Sequence, residues 1–476
     1  MSKGKLLLLC FLFGCHFLHA QNKELLYDFT EIPQSLMLNP GMEVNYLWYA
    51  GIPTLSGIST QFGTSGVTVH DLFADDGVDF TTKVLDKVIY SMNPNDELSG
   101  GFQMEIFNGG FRGTNNPDNF YSFGMYLEGD AIAYWFKDLA ILGFEGNADQ
   151  LNRRFDLSHI KTRGELVNVF HFGINKRVDN KLTIGARAKI YSSLVNFNST
   201  ANTGYFVTTE GQNNFLANTL DADLAVRTSG IQELLDGDAD ETPGIIAKRM
   251  LFGGNLGLGL DAGLTYNLNK KTVVTVSVLD LGFIYHTKDI KSYELNGNAT
   301  VEGIEFILPE VLINPSTDFW QDLVDEIEEL VPFEDNDKNY ISFRPTKLYG
   351  SIRHNFGERI PSRLDCDCMD IITDQNLAFQ YVNSAGIQLY AINRPRGPQV
   401  ALTAFYQRRF GNFLALKTTY TIDKYSFSNV GFGFNIQAGA MNFYAMADNL
   451  LAYKNIADTH YASFQLGLNI ISWGKK

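Results

Sequence analysis

Residues 254–268 read Gly254-Asn-Leu-Gly-Leu-Gly-Leu-Asp-Ala-Gly-Leu-Thr-Tyr-Asn-Leu268. Leu256, Leu258, Leu260, Ala262, Leu264, Tyr266 and Leu268 share one parity, and Gly257, Gly259, Asp261, Gly263, Thr265 and Asn267 the other. Period two puts the sets on opposite faces of a strand. A strand in a soluble sheet averages about five or six residues, whereas a tilted strand needs roughly nine to eleven to cross a bilayer. This stretch has bilayer length.

Outward from it the rhythm repeats. Asn269-Lys270-Lys271 turns into the β-branched run Thr272 to Ile284, which reads as a hairpin. Glu165 to Arg177 and Lys181 to Phe197 form a second hairpin across Asp179-Asn180, with Arg187, Lys189 and Tyr191 opposite its apolar face. Leu377 to Arg394, Gln399 to Phe410, Phe413 to Ile422, Tyr425 to Gln437, Met441 to Asp448 and Tyr461 to Trp473 continue it. Brief turns alternating with longer loops, an apolar outside and a polar inside define an outer-membrane barrel. The expected fold is therefore all-β, a transmembrane antiparallel β-barrel of about fourteen strands, with roughly twelve to eighteen tolerated. A soluble propeller would show repeats of about forty residues, and the sequence has none.

Composition agrees. The 476 residues are 13% aromatic and only 19% charged, with 43 Gly to suit a crowded lumen or sharply curved strands. A net charge of -15 argues against nucleic acid, which is held by Lys and Arg on phosphates.

Residues 1–20 read as an export signal: Lys3 and Lys5, then an apolar core from Leu6 to Leu18 too short to span, with cleavage after Ala20. A competing reading takes Leu12-Phe13-Gly14-Cys15 as a lipoprotein box. Cleavage after Ala20 leaves residues 21–53 as an N-terminal extension and 54–476 as the barrel, with loop insertions near 67–98, 212–250 and 302–342. In the last of these, Ser316 to Val331 places Phe319, Trp320, Leu323, Ile327 and Leu330 on one side of an amphipathic helix. That helix either packs on its own barrel or docks a partner.

Chemistry-bearing patterns are sparse. The six histidines beyond the signal have no metal-ligand spacing, and G-x-S-x-G, H-E-x-x-H and P-loop motifs are absent. Asp236, Asp238 and Asp240 open like a calcium loop, but Glu241 stands where glycine is required and Ala247 where the bidentate Glu belongs. No catalytic residue, metal or cofactor is expected, and the chain does not read as an enzyme. Cys366 and Cys368, one residue apart, are open to a strained disulfide, free thiols or a soft metal.

The run Ile32-Pro-Gln-Ser-Leu-Met-Leu-Asn-Pro-Gly41, followed by Gly51-Ile52-Pro53 and Leu55-Ser56-Gly57, resembles the start of a Bacteroidota outer-membrane barrel family of the DUF5723 kind. Its Asn39-Pro40 element is similar to the asparagine-proline signature of FadL-type transporters of hydrophobic compounds and of the PorV barrel of type IX secretion. Met446-Ala-Asp-Asn-Leu450 and Gly467-Leu-Asn-Ile470 resemble the last hairpin of PorP/SprF barrels. Many such barrels end on an aromatic residue, whereas here Trp473 precedes Gly474-Lys475-Lys476.

The resemblance implies fourteen strands, an inward N-terminal segment and passive uptake or binding of small hydrophobic compounds in the outer membrane of a Gram-negative bacterium. In that reading Asn39 and Pro40 hold a turn, Leu36, Met37 and Leu38 pack it into the lumen, and lipid and lipopolysaccharide surround the wall. The alternative is a non-transporting scaffold for protein partners in a secretion, gliding or surface-assembly complex.

Overall fold

The computed structural model describes residues 24–212, 216–237, 240–302, 333–361, 379–427, 429–450 and 455–473. Its wall is a closed antiparallel barrel of 14 strands. In chain order these are β1 (Trp48–Gly51 continued by Ile58–Thr64), β2 (Glu97–Arg112), β3 (Asn119–Tyr134), β4 (Thr162–Arg177) and β5 (Leu182–Glu210). Then come β6 (Asn255–Asn267), β7 (Thr272–His286), β8 (Tyr340–Phe343 continued by Lys347–Pro361), β9 (Phe379–Arg394) and β10 (Gly397–Phe410). The last are β11 (Leu414–Ile422), β12 (Asn429–Ala438), β13 (Met441–Asp448) and β14 (Tyr461–Ser472). Each pairs with the next, and β14 closes on β1 through Trp48↔Ser472 and Ile58↔Leu466.

The outside is apolar. Leu258, Leu260, Ile352, Ile387, Val400 and Leu402 are all exposed, whereas Arg187, Asp261, Gln388 and Lys417 on the opposite parity are buried. That inverts the usual arrangement of a soluble protein; it is what lipid outside and packed polar groups inside require. The alternation read from 254–268 is thus the physical basis of the wall.

Both split strands carry a proline at the break, Pro53 in β1 and Pro345 in β8, where a residue without N–H cannot continue the ladder. β5 is long because only its first half belongs to the barrel. Beyond Ser193 it leaves β6 and pairs with Leu216–Ser229, which pairs with Ile290–Glu302 and that in turn with Phe333–Asn336. This sheet projects past the wall at the mouth carrying the long connections.

The other mouth carries the turns 113–118, 178–181, 268–271, 411–413 and 439–440, and there β1 begins and β14 ends. In the 178–181 turn the backbone N–H groups of Lys181 and Leu182 bond Asp179 and hold its carboxyl below the usual range.

Three boundaries differ from the sequence reading. The wall begins at Trp48, inside the stretch assigned to the extension, because Trp48–Gly51 pairs with β14 and β2. Residues 216–229, placed in a loop insertion, form a strand, since Leu-Ala-Asn-Thr-Leu-Asp-Ala-Asp has no clean apolar parity and is fixed by its neighbours. β2 and β3 also escaped the reading, being interleaved with glycine and acids. Cys366, Cys368 and the helix carrying Phe319, Trp320, Leu323, Ile327 and Leu330 lie outside the described residues.

Candidate functional site

Residues 24–47 enter the lumen and fill it. Pro33 opens a short 3₁₀ turn, Pro33–Met37, where its fixed φ suits a first helical position. The Ser35 hydroxyl reaches the carbonyls of Leu26 and Phe29 at 2.9 and 2.6 Å, which folds the segment back on itself. The next three side chains diverge. Leu36 packs with Tyr46, Tyr49 and Phe120, Met37 with Tyr126 and Tyr191, and Leu38 with Leu25, Phe29 and Tyr349. One turn of chain thereby joins three apolar clusters at the barrel axis.

Asn39 and Pro40 form the turn that follows. The Asn39 side chain accepts from the Gly41 N–H at 2.9 Å and donates to the Leu264 carbonyl at 3.3 Å. Asn175 of β4 donates to the Pro40 and Met42 carbonyls at 2.7 and 2.8 Å. The turn lies in a pit made by Gly185 of β5 and Gly263 of β6, which face each other across the sheet. A Cβ on Gly185 would stand 2.0 Å from the Pro40 oxygen, and one on Gly263 2.2 Å from Asn39 Oδ1. Glycine is required at both positions by close approach.

The acids of the segment meet bases of the wall. Asp28, in a left-handed conformation at φ 59°, pairs with Arg353 at 2.6 Å. Glu31 pairs with Arg409 and accepts from Gln407 at 2.8 Å. Gln34 bridges Glu105 on β2 and Asn469 on β14, the two neighbours of the split strand β1. Arg187 donates to the carbonyls of Leu36 and Met37, and Ser277 to that of Leu38 at 2.6 Å.

Arg187 is also the end of a buried chain of alternating charge: Glu165–Arg344 2.5 Å, Arg344–Glu128 2.6 Å, Glu128–Lys347 2.8 Å, Lys347–Asp280 3.1 Å, Asp280–Lys189 2.7 Å, Lys189–Asp261 2.8 Å and Asp261–Arg187 3.2 Å. It links six wall strands to the plug. Each charge between the two ends has an opposite partner on either side, which is how ions withstand removal from water.

Between plug and wall lies a cavity of about 60 Å³, lined by Leu25, Met37 and Leu38 of the plug and by Glu128, Lys189, Asp280, Tyr349 and Met446 of the wall among others. It has room for a few waters and none for a substrate with the plug seated. Among the described residues no group of three His, Cys, Asp or Glu is arranged to hold a metal. His286 is buried between the Ser229 and Ser342 hydroxyls at 2.7 and 2.8 Å.

The five N-terminal residues singled out from the sequence, Leu36, Met37, Leu38, Asn39 and Pro40, thus come together in the lumen. Their wall partners, Gly185, Gly263, Arg187, Arg353 and Arg409, were not singled out. The signal was there: Arg187 and Lys189, Arg353, and Gln407 and Arg409 keep the inward parity of their strands, while Glu24, Asp28 and Glu31 are spaced three and four apart.

Solved structures align over nearly the whole chain. The toluene transporter TodX of P. putida does so at 11% identity over 95% of this chain and 93% of its own, with a TM-score of 0.36. The Ralstonia pickettii toluene transporter TbuX matches at 9% over 92% of each chain, TM-score 0.38. A Pseudomonas aeruginosa FadL homologue matches at 8% over 93% and 94%, TM-score 0.40. No curated protein sequence matches. Residues 40–448 match the model of a family of unknown function, DUF5723, and to that family this chain belongs.

Proposed function

We propose that the protein is an outer-membrane barrel, exported by a cleaved signal, that takes up small and mainly apolar molecules through a lumen gated by its own N-terminal segment. The observation that carries this reading is the plug itself. It is not part of the wall, it presents Leu25, Met37 and Leu38 to the central cavity, and its displacement is what would enlarge that cavity to ligand size. The apolar outer face takes lipid, with lipopolysaccharide in the outer leaflet. The scaffold alternative rests on the helix at 316–331, which is outside the described residues, and no described contact favours it.

The experiment is a reversible tether. Asp28 Oδ2 and Ser351 Oγ meet at 3.0 Å, so Asp28→Cys with Ser351→Cys places one thiol on the plug and one on the facing wall, in a background with Cys366 and Cys368 changed to serine. Cells with an outer membrane take up the apolar dye N-phenyl-1-naphthylamine slowly. Expression of the reduced variant is expected to speed entry, and oxidation to return it to the rate without the barrel. Equal entry in both redox states, or no gain over barrel-free cells, refutes gated uptake.

A further inference from the structure

One strip of the central cavity carries no charge. Ser59 and Gln61 of β1 stand in register with Gln103 and Gly101 of β2, and with Gln465 and Ser463 of β14. All six line the cavity, while Phe102 and Phe464, at the intervening positions, are exposed on the outer face. Two neighbouring rows of the sheet therefore present neutral groups to the lumen. Gln61 is the unsatisfied member: it is only 3% exposed, and its Oε1 is buried with no partner among the described residues. Beside it the wall is cut back, since Gly101 has no side chain and a Cβ there would stand 3.0 Å from Gln61 Nε2. Buried acceptors are ordinarily paired, so an unpaired one on a cavity wall marks a place for a donor.

The charged part of the lining is committed. Lys347 bridges Glu128 at 2.8 Å and Asp280 at 3.1 Å, and Lys189 bridges Asp280 at 2.7 Å and Asp261 at 2.8 Å. Asp448 accepts from the Ser463 hydroxyl. An anionic ligand thus meets no uncommitted cation among the described lining residues, and bringing any ionised group into the lumen is costly unless it is paired there.

We propose that the lumen selects neutral ligands with an apolar body and one hydrogen-bond donor, a hydroxyl or an N–H, and that Gln61 Oε1 is the acceptor that selects them. Phenols, long-chain alcohols and arylamines belong to this class; hydrocarbons, ethers and ionised acids do not. The apolar body takes the space that Leu25, Met37 and Leu38 give up when the plug moves, and the donor meets Gln61. A ligand without a donor encloses Oε1 and leaves it unpaired, which is how a buried polar group rejects an analogue lacking the matching group. This selectivity rests on the gated uptake proposed above and adds the chemistry of what passes.

The test uses three dyes on one aromatic frame: N-phenyl-1-naphthylamine, which has an N–H donor, its N-methyl derivative, which has none, and its 8-sulfonate, which is anionic. Entry into cells is read in excess of barrel-free cells, with the Asp28→Cys, Ser351→Cys tether first reduced and then oxidised. In the reduced state the N–H dye is expected to enter faster than the N-methyl dye by about fivefold or more, and the sulfonate to gain nothing. Gln61→Met, close to glutamine in shape, should bring the ratio of the two neutral dyes near unity. Reading the change in that ratio removes the effect of the methyl group's size.

Equal entry of the two neutral dyes, a ratio that Gln61→Met leaves in place, or sulfonate entry matching that of the N–H dye overturns the proposal; where entry still depends on the tether, gated uptake survives. Should Gln61→Met fail to assemble, the ratio in the Gln61 protein decides alone. Entry that ignores the tether for every dye removes the uptake reading and this inference together.

Discussion

Gly185→Ala is the sharpest probe of how the plug is seated. The added Cβ would stand 2.0 Å from the Pro40 oxygen and 2.2 Å from its carbonyl carbon, backbone atoms that cannot rotate away. Relief needs the turn to rise by more than an ångström, against two Asn175 bonds of 2.7 and 2.8 Å. Overpacking costs about 1–3 kcal/mol, two weakened hydrogen bonds add about 1–3, and the stiffer unfolded chain returns about 0.4–1. The net loss centres near 3 kcal/mol.

Gly350→Ala is the control, since its nearest neighbour would be the Thr275 oxygen at 3.7 Å. Urea unfolding of the refolded barrel in detergent reads the difference, and proteinase K cleavage between residues 24 and 47 reports plug release. If Gly185→Ala matches Gly350→Ala in both assays, the glycine pit does not seat the plug.

Other outcomes follow from the same geometry. Arg187→Met takes the donor from two plug carbonyls and leaves Asp261 to Lys189, and should lower stability by about 1–3 kcal/mol in the same urea assay. Leu258→Arg puts a charge on the lipid face and should cost about 2–4 kcal/mol if it lies near mid-membrane, whereas Arg408→Leu, on an outward position of β10, should cost little. In planar bilayers the mature protein should show almost no steady ion current, because plug and charge chain fill the lumen; removal of residues 24–41 should produce discrete open steps, and identical traces would refute a plugged lumen.

The wall was legible because lipid enforces strict parity, so 254–268, 441–448 and 461–473 could be read from apolar positions alone. Parity fails where no lipid lies against the strand, as at 216–229, which stands in the projecting sheet. It also weakens in β2 and β3, where Gly100, Gly109 and Gly129 replace apolar groups on or near the outer face. The plug was legible as a segment that neither alternates nor coils, but its docking was not. Gly185 and Gly263 matter only through a cross-strand register of β5 on β6 that places them face to face, and no local pattern encodes that register. The charge chain is hidden for the same reason, since Glu165 and Arg344 are far apart in sequence and meet only once the ring has closed.

The most direct test of the account is a nitroxide scan along residues 256–266 in lipid, read by spin-label collision with oxygen and with a water-soluble nickel complex. Labels at 256, 258, 260, 262, 264 and 266 should meet oxygen freely and nickel hardly at all, while those at the odd positions meet neither. Loss of that alternation, or nickel access on the odd face of the resting protein, would contradict a lipid-facing wall closed over a plugged interior.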